Sequence, residues 1–134
     1  MNLDRYEKKL ELQLFIDIGN GFNEKDSVSV QHEKDRRKYE FDISTFKHIK
    51  IFRLDPLNES CVISIENAYI EDKNGNVYKL RFLFTNTDIF ENMFYFDSKD
   101  PQIFFDLDNK QIQESEFLEL HKAVFEITFY YINF

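Results

Sequence analysis

The sequence predicts an all-β protein folded as an antiparallel β-sandwich. Apolar residues recur at every second position in most segments, which is the spacing of a strand with one buried face. Turn-forming residues interrupt these segments at intervals of about 8 to 12 residues, and no long segment has the 3.6-residue period of a helix. Sixteen Phe and seven Tyr residues, without any Trp, suit strands because aromatic rings pack well on a pleated surface.

The N-terminal region contains a short first segment and the first predicted strand. In residues 1–9 the apolar side chains have the spacing of one helical face. A segment this short does not form a stable helix without support, so we expect a tether or a short helix there. From Leu10 to Ile18 the apolar residues alternate with polar ones, which predicts a half-buried strand. The length of 134 residues favours one domain, and we assign the sandwich to residues 10–134.

The central stretch contains two predicted strands. Phe52 and Leu54 point to one side of an extended backbone, and Arg53 and Asp55 point to the other. Pro56 ends this strand because it has no amide hydrogen for the sheet. The next strand begins at residue 61.

A bulge and a hairpin turn are predicted in the following segment. Cys61, Ile63 and Ile65 share one face, whereas Ala68 and Ile70 are out of step with them. One extra residue near Glu66 and Asn67 explains the change, so the pattern predicts a β-bulge. Asn74-Gly75 then tolerates the positive φ angles of a tight hairpin turn, and the chain reverses.

The C-terminal half has the same alternation. Tyr78, Leu80, Phe82 and Phe84 are apolar at every second position, which predicts the return strand. Residues 93–96 and 103–105 predict two short strands separated by a turn at Asp100-Pro101. Residues 123–134 predict a long closing strand.

Charge and cysteine content restrict the partners and the compartment. The net charge of -8 disfavours nucleic acid and anionic membranes, which need clustered Lys and Arg. Cys61 is the single cysteine, so no intramolecular disulfide forms, and a buried apolar role fits its strand. No secretory signal and no run of about 18 apolar residues is present, so we expect a cytoplasmic protein without a membrane span.

Three segments resemble a known class of module. Residues 12–30 contain D-x-G-x-G-F at Asp17 to Phe22, residues 41–76 contain R-L-D-P-L at Arg53 to Leu57, and residues 93–105 contain D-P-Q at Asp100 to Gln102. In this order they resemble the β-sandwich accessory modules of bacterial glycosyltransferases and rhamnan-type surface-polysaccharide biosynthesis proteins. The resemblance implies a jelly-roll (galactose-binding-like) topology and a non-catalytic module that binds saccharide or positions a glycosyltransferase domain.

Four residues are candidates for saccharide binding. Arg53 and Asp55 share a strand face and can hold sugar hydroxyls, although a structural ion pair is the competing interpretation. Tyr95 and Tyr130, and with them Tyr131, can stack on sugar rings, although core packing is the competing interpretation.

A calcium site is a further hypothesis. Asp17, Asn20, Glu24 and Asp26 place four oxygen-bearing side chains in a glycine-containing loop, and calcium prefers oxygen ligands. The alternative is that these residues form turns by bonding to their own backbone.

The sequence contains no catalytic motif. The three histidines have no metal-ligand spacing, and both the G-x-S-x-G elbow and phosphate-binding glycine loops are missing. We therefore expect a protein that is not an enzyme. The alternative to a saccharide-binding accessory module is a protein-interaction or oligomerisation sandwich, including a homodimer, that buries exposed aromatic side chains against its partner.

Overall fold

The described part of the chain is built mainly of antiparallel β-strands. A computed structural model describes residues 11–57, 61–96, 100–107 and 119–130. These residues contain one short 3-10 helix, Glu24–Asp26, and ten strands: β1 Glu11–Asp17, β2 Ser27–Gln31, β3 Lys38–Asp42, β4 Ile51–Asp55, β5 Cys61–Asp72, β6 Val77–Thr85, β7 Asp88–Phe90, β8 Met93–Phe96, β9 Ile103–Leu107 and β10 Leu120–Tyr130. The prediction of an all-β protein is confirmed.

The strands form two layers that share β6. The first layer has the order β2-β1-β4-β9-β6, and the second contains β3-β10-β5, with β8 beside β5 and β7 beside β8. Every pairing is antiparallel, and β6 pairs with both β9 and β5. The architecture is sandwich-like, as predicted. This strand order does not establish the jelly-roll connectivity, and the expectation for residues 1–9 lies outside the described residues.

Phenylalanine rings join the two layers in the core. Phe105 of β9 contacts Phe125 of β10 with ring centroids 5.4 Å apart, and Phe125 also contacts Phe41 of β3 at 5.8 Å. The alternating residues of the first strand, Leu12, Leu14 and Ile16, are fully buried in the same core. The two-residue period therefore identified the buried face of this strand.

The hairpin between β5 and β6 is held by Asp72. Its carboxylate accepts hydrogen bonds from the backbone N of Asn74 and of Asn76, both at 2.9 Å, and from the Tyr78 hydroxyl at 3.2 Å. Burial acts to raise the pKa of Asp72, but the hydrogen bonds from Asn76, Asn74 and Tyr78 outweigh it and lower the pKa. The predicted turn is confirmed, with Gly75 alone of the Asn-Gly pair at a positive φ of 87°.

The predicted bulge lies in β5 at Glu66. Asn67 pairs with Glu126 and Ile65 pairs with Ile127, so Glu66 is an extra residue between two consecutive positions of β10. The bulge reverses the alternation, and Ile65 and Ala68 both pack against the core. This confirms the prediction made from the apolar pattern.

A second bulge, in β6, was not predicted. Phe82 pairs with Phe105 and Phe84 pairs with Phe104, so Leu83 is an extra residue. The alternation alone would place Phe84 on the same face as Phe82. The bulge turns Phe84 to the outer face instead, where it is 56% exposed and stacks on Phe104.

The edge of β5 is shared by two strands that separate from each other. β8 pairs with residues 61–64 and β6 pairs with residues 69–71. Neither strand pairs with residues 65–68, although the backbone N of Ile65 donates to the carbonyl O of Asn92 at 3.2 Å. A gap therefore opens beside the Glu66 bulge.

We expect Phe125→Ala to lower the free energy of unfolding by about 3–5 kcal/mol, because a buried ring is replaced by a cavity. Phe125 is fully buried and contacts rings of both layers. Urea denaturation of the two proteins measures the difference. Tyr130→Ala on the same strand, where the side chain is 48% exposed, is the control and should change stability far less. Equal losses would contradict the two-layer core.

Candidate functional site

A cleft of about 280 Å³ lies where β6 and β8 separate beside the bulge of β5. Its apolar residues are Ile65, Ala68, Leu80, Phe82, Ile89, Phe94 and Phe105. Its polar residues are Glu66, Asn67, Lys79, Glu91 and Asn92. A mainly apolar lining with a few polar groups is typical of small-molecule sites, and the volume is just below their range of about 300–1,000 Å³.

Phe82 provides an aromatic surface in this cleft. Its ring is 39% exposed. Phe94 and Phe105 contact it at centroid distances of 5.5 and 6.2 Å, with interplanar angles of 72° and 68°. These edge-to-face contacts hold the ring in place and leave part of it open to a ligand.

The polar side chains of the cleft differ in how firmly they are held. Glu66 Oε1 accepts a hydrogen bond from Thr128 Oγ1 at 2.7 Å, and Asn92 Nδ2 donates to Ser64 Oγ at 3.0 Å. Lys79 and Glu91 are exposed to solvent. Together these groups offer both hydrogen-bond donors and acceptors to a ligand.

Arg53 and Asp55 lie outside the cleft, on the outer face of the first layer. Arg53 Nε and Nη2 donate to the two carboxylate oxygens of Asp55 at 3.0 and 3.1 Å. The guanidinium carbon lies 4.0 Å from the ring centroid of Phe15 and 5.4 Å from that of Phe22. Because the two side chains satisfy each other and are largely covered, the geometry favours the structural ion pair that the sequence left as an alternative.

The carboxyl group of Asp55 has a perturbed pKa. Burial raises the pKa of Asp55 from 3.8 to about 6, and the hydrogen bonds and charge of Arg53 only partly oppose this. The charges of Asp100 and Glu24 raise it further. Ionised Asp55 is therefore less favourable in the folded protein than in water.

Tyr95 and Tyr130 lie on the outer face of the second layer. Tyr95 of β8 and Tyr130 of β10 both pair with Val62 of β5. Strand β5 therefore lies between the two tyrosines. They are 39% and 48% exposed, and neither lines the cleft. Tyr131 lies outside the described residues. The structure therefore brings Arg53 to Asp55 and places both tyrosines in another layer.

Three of the four side chains proposed for calcium accept hydrogen bonds from the loop or from the adjacent strand β1. Asp17 Oδ1 accepts from the backbone N of Gly19 at 2.8 Å and of Gly21 at 3.0 Å. Glu24 Oε2 accepts from Gln13 Nε2 at 2.8 Å, and Asp26 Oδ2 accepts from Asn23 Nδ2 at 3.2 Å.

The arrangement of this loop favours turn formation. Asn20 is exposed to solvent. Across residues 11–57, 61–96, 100–107 and 119–130, no group of three or more His, Cys, Asp or Glu side chains could hold a metal ion. The structure therefore does not bring Asp17, Glu24 and Asp26 together, and the bonds of Asp17 are those of a turn residue.

Sequence reasoning missed the residues of the cleft. The predicted bulge near Glu66 and Asn67 was a signal, because bulges are common next to functional sites. Phe82 is one of several phenylalanines in an alternating strand, and the pattern gave no reason to single it out. The cleft exists because β6 and β8 share one edge of β5, and this pairing is not visible in the sequence.

The fold is that of an antiparallel, sandwich-like all-β protein, and it carries a cleft lined in part by aromatic side chains. The chain matches no protein-family model, no curated protein and no solved structure. Within the described ranges, no helix has the length and apolar character required to cross a membrane.

We expect Asp55→Asn to change the pH dependence of stability. Because the pKa of Asp55 is raised to about 6 in the folded protein, folding takes up a proton between about pH 4 and 6. The contribution of Asp55 to stability is therefore fully present below about pH 4 and is lost as the pH rises through about 6. The free energy of unfolding of the wild type minus that of Asp55→Asn, measured by urea denaturation, should fall over this range.

Asp42→Asn is a control with the opposite sign. The side-chain hydrogen bond from Ser44 lowers the pKa of Asp42, so its contribution is present above about pH 4 and is lost on acidification. A wild-type minus Asp55→Asn difference that rises with pH would mean that the Arg53 ion pair, and not burial, controls the Asp55 carboxyl.

Proposed function

We propose that the protein is a non-catalytic binding module that accepts one sugar ring in the cleft between β6 and β8. In this proposal it works with the enzymes that assemble bacterial cell-surface polysaccharides. The observation that carries the proposal is the partly exposed ring of Phe82, held edge-on by Phe94 and Phe105, with amide and charged groups around it.

The chemistry of a sugar matches this arrangement. A pyranose ring has apolar C–H faces and a rim of hydroxyl groups. An aromatic ring can cover a C–H face, while amides, carboxylates and an ammonium group bind hydroxyls. The volume of about 280 Å³ suits one ring and not an oligosaccharide.

The biological setting is supported by the resemblance of the three sequence segments to glycosyltransferase accessory modules. In this setting the partner is a glycosyltransferase domain, the module positions that domain or its acceptor saccharide, and both act in the cytoplasm. The coding sequence beside this chain tests the setting, because an adjacent or fused glycosyltransferase is expected.

We expect Phe82→Ala to weaken saccharide binding about fivefold, because loss of an aromatic contact costs on the order of 1 kcal/mol. Isothermal titration calorimetry with the sugars that bind in a glycan array, including rhamnose-containing and peptidoglycan-type saccharides, measures the affinity. Phe84→Ala is the matched control, because Phe84 is on the same strand, is more exposed and does not line the cleft.

Two results would contradict the proposal. Absence of binding across a broad panel of saccharides would remove sugar binding as the function. Equal weakening by Phe82→Ala and Phe84→Ala would place the bound sugar outside the cleft.

A second candidate function is protein interaction through β7. This strand pairs with β8 on one side and with no other described strand. Its side chains Ile89 and Phe90 are 43% and 65% exposed. Exposed apolar side chains at a free strand edge are typical of interaction sites, and a homodimer is one such assembly.

We expect Phe90→Ser to convert a dimer to a monomer if β7 forms the interface, because it removes the most exposed large apolar side chain in the described part of the chain. Multi-angle light scattering at several protein concentrations measures the mass. Val77→Ser, at a 56% exposed position in the β5–β6 hairpin, is the control. A wild-type protein that is monomeric at all concentrations would exclude the homodimer.

A further inference from the structure

The side chains that line the cleft include more carboxylates than cationic groups. Glu66 and Glu91 line it with one cation, Lys79, in a protein of net charge -8. A negatively charged ligand would enter against this local field and against that of the whole protein. An uncharged ligand meets no such barrier.

Glu91 is the carboxylate that is free to bind a ligand. Glu66 is already bonded to Thr128. Glu91, in contrast, is exposed at the cleft and has no side-chain hydrogen bond or ion pair among the described residues. An ionised carboxylate only accepts hydrogen bonds. It therefore fits the hydroxyl groups of a neutral sugar and repels a second carboxylate or a phosphate.

The backbone at Glu91 is strained. Phe90 pairs with Met93, so Glu91 and Asn92 form a two-residue hairpin turn, and Glu91 has a positive φ of 57°. Glycine adopts this conformation without the Cβ penalty and is preferred at such a position. Glutamate here costs conformational free energy, and residues retained in strained conformations are concentrated at functional sites.

We propose that the cleft selects uncharged saccharides over acidic or phosphorylated ones, and that Glu91 is the residue that determines this selectivity. The inference rests on the proposed function of the cleft. The free carboxylate and the strained backbone both belong to Glu91, and Glu91 lines a cleft with more acidic than basic side chains.

Calorimetry with matched sugar pairs tests the inference. Glucose is compared with glucuronate, and galactose with galacturonate. In each pair the acidic sugar has a carboxylate where the neutral sugar has a CH₂OH group. Binding is measured at low ionic strength and at about 0.5 M salt, where charge repulsion is screened. For the wild type we expect the neutral sugar to bind at least about tenfold more tightly at low salt. In Glu91→Gln the preference should shrink to about threefold or less, as it should in the wild type at high salt.

Two further variants distinguish the effect of Glu91 itself from the effects of net charge and of backbone strain. Glu126→Gln removes the same charge from β10, outside the cleft, and should keep the wild-type preference. Glu91→Gly should raise the melting temperature, because glycine relieves the strain, and should weaken binding of the neutral sugar.

The outcomes distinguish this inference from the proposed function. Equal binding of neutral and acidic sugars by the wild type would overturn the inference and leave sugar binding intact. An unchanged preference in Glu91→Gln would overturn the role of Glu91 in selectivity. A lower melting temperature of Glu91→Gly would contradict the backbone strain at this position. Binding of neither sugar class would overturn the proposed function together with the inference.

Discussion

The pairing of β5 with β10 is the constraint on which the rest of the structure depends. β5 is the longest of the strands in the described ranges, with 12 residues, and it pairs with β10 along most of its length. The extra residue Glu66 divides β5 into two parts. Without it, a one-residue change of register would turn the apolar residues of one part away from the core. Because of it, Ile63 and Ile70 are both fully buried.

The same bulge determines where the cleft forms. The two parts of β5 take different neighbours, β8 for residues 61–64 and β6 for residues 69–71, so the sheet opens between them. β6 then leaves the second layer to pair with β9. Phe82 lies on this departing segment, and its ring consequently contacts the core on one side and the cleft on the other.

The first layer is stabilised on its outer face as well as in the core. Phe15, whose ring points away from the core, is only 5% exposed because Arg53 lies over it. Asp55 holds the guanidinium in place at the cost of a carboxyl group with a raised pKa. This arrangement resembles a binding site in composition, with an arginine, a carboxylate and aromatic rings, yet its polar groups bind each other. The cleft differs because Glu91 has no such partner among the described residues.

The sequence by itself determined most of the strands, the Asn74-Gly75 turn and the bulge at Glu66, because each follows from local alternation or from the φ angle of a glycine. It also identified Arg53 and Asp55 as neighbours on one strand face. Only the tertiary structure decided that they bond to each other, that Leu83 is a second bulge, and that Phe82 lines a cleft. Those features depend on which strands pair with β5 and β9, and strand pairing joins residues far apart in the chain, where periodicity carries no information.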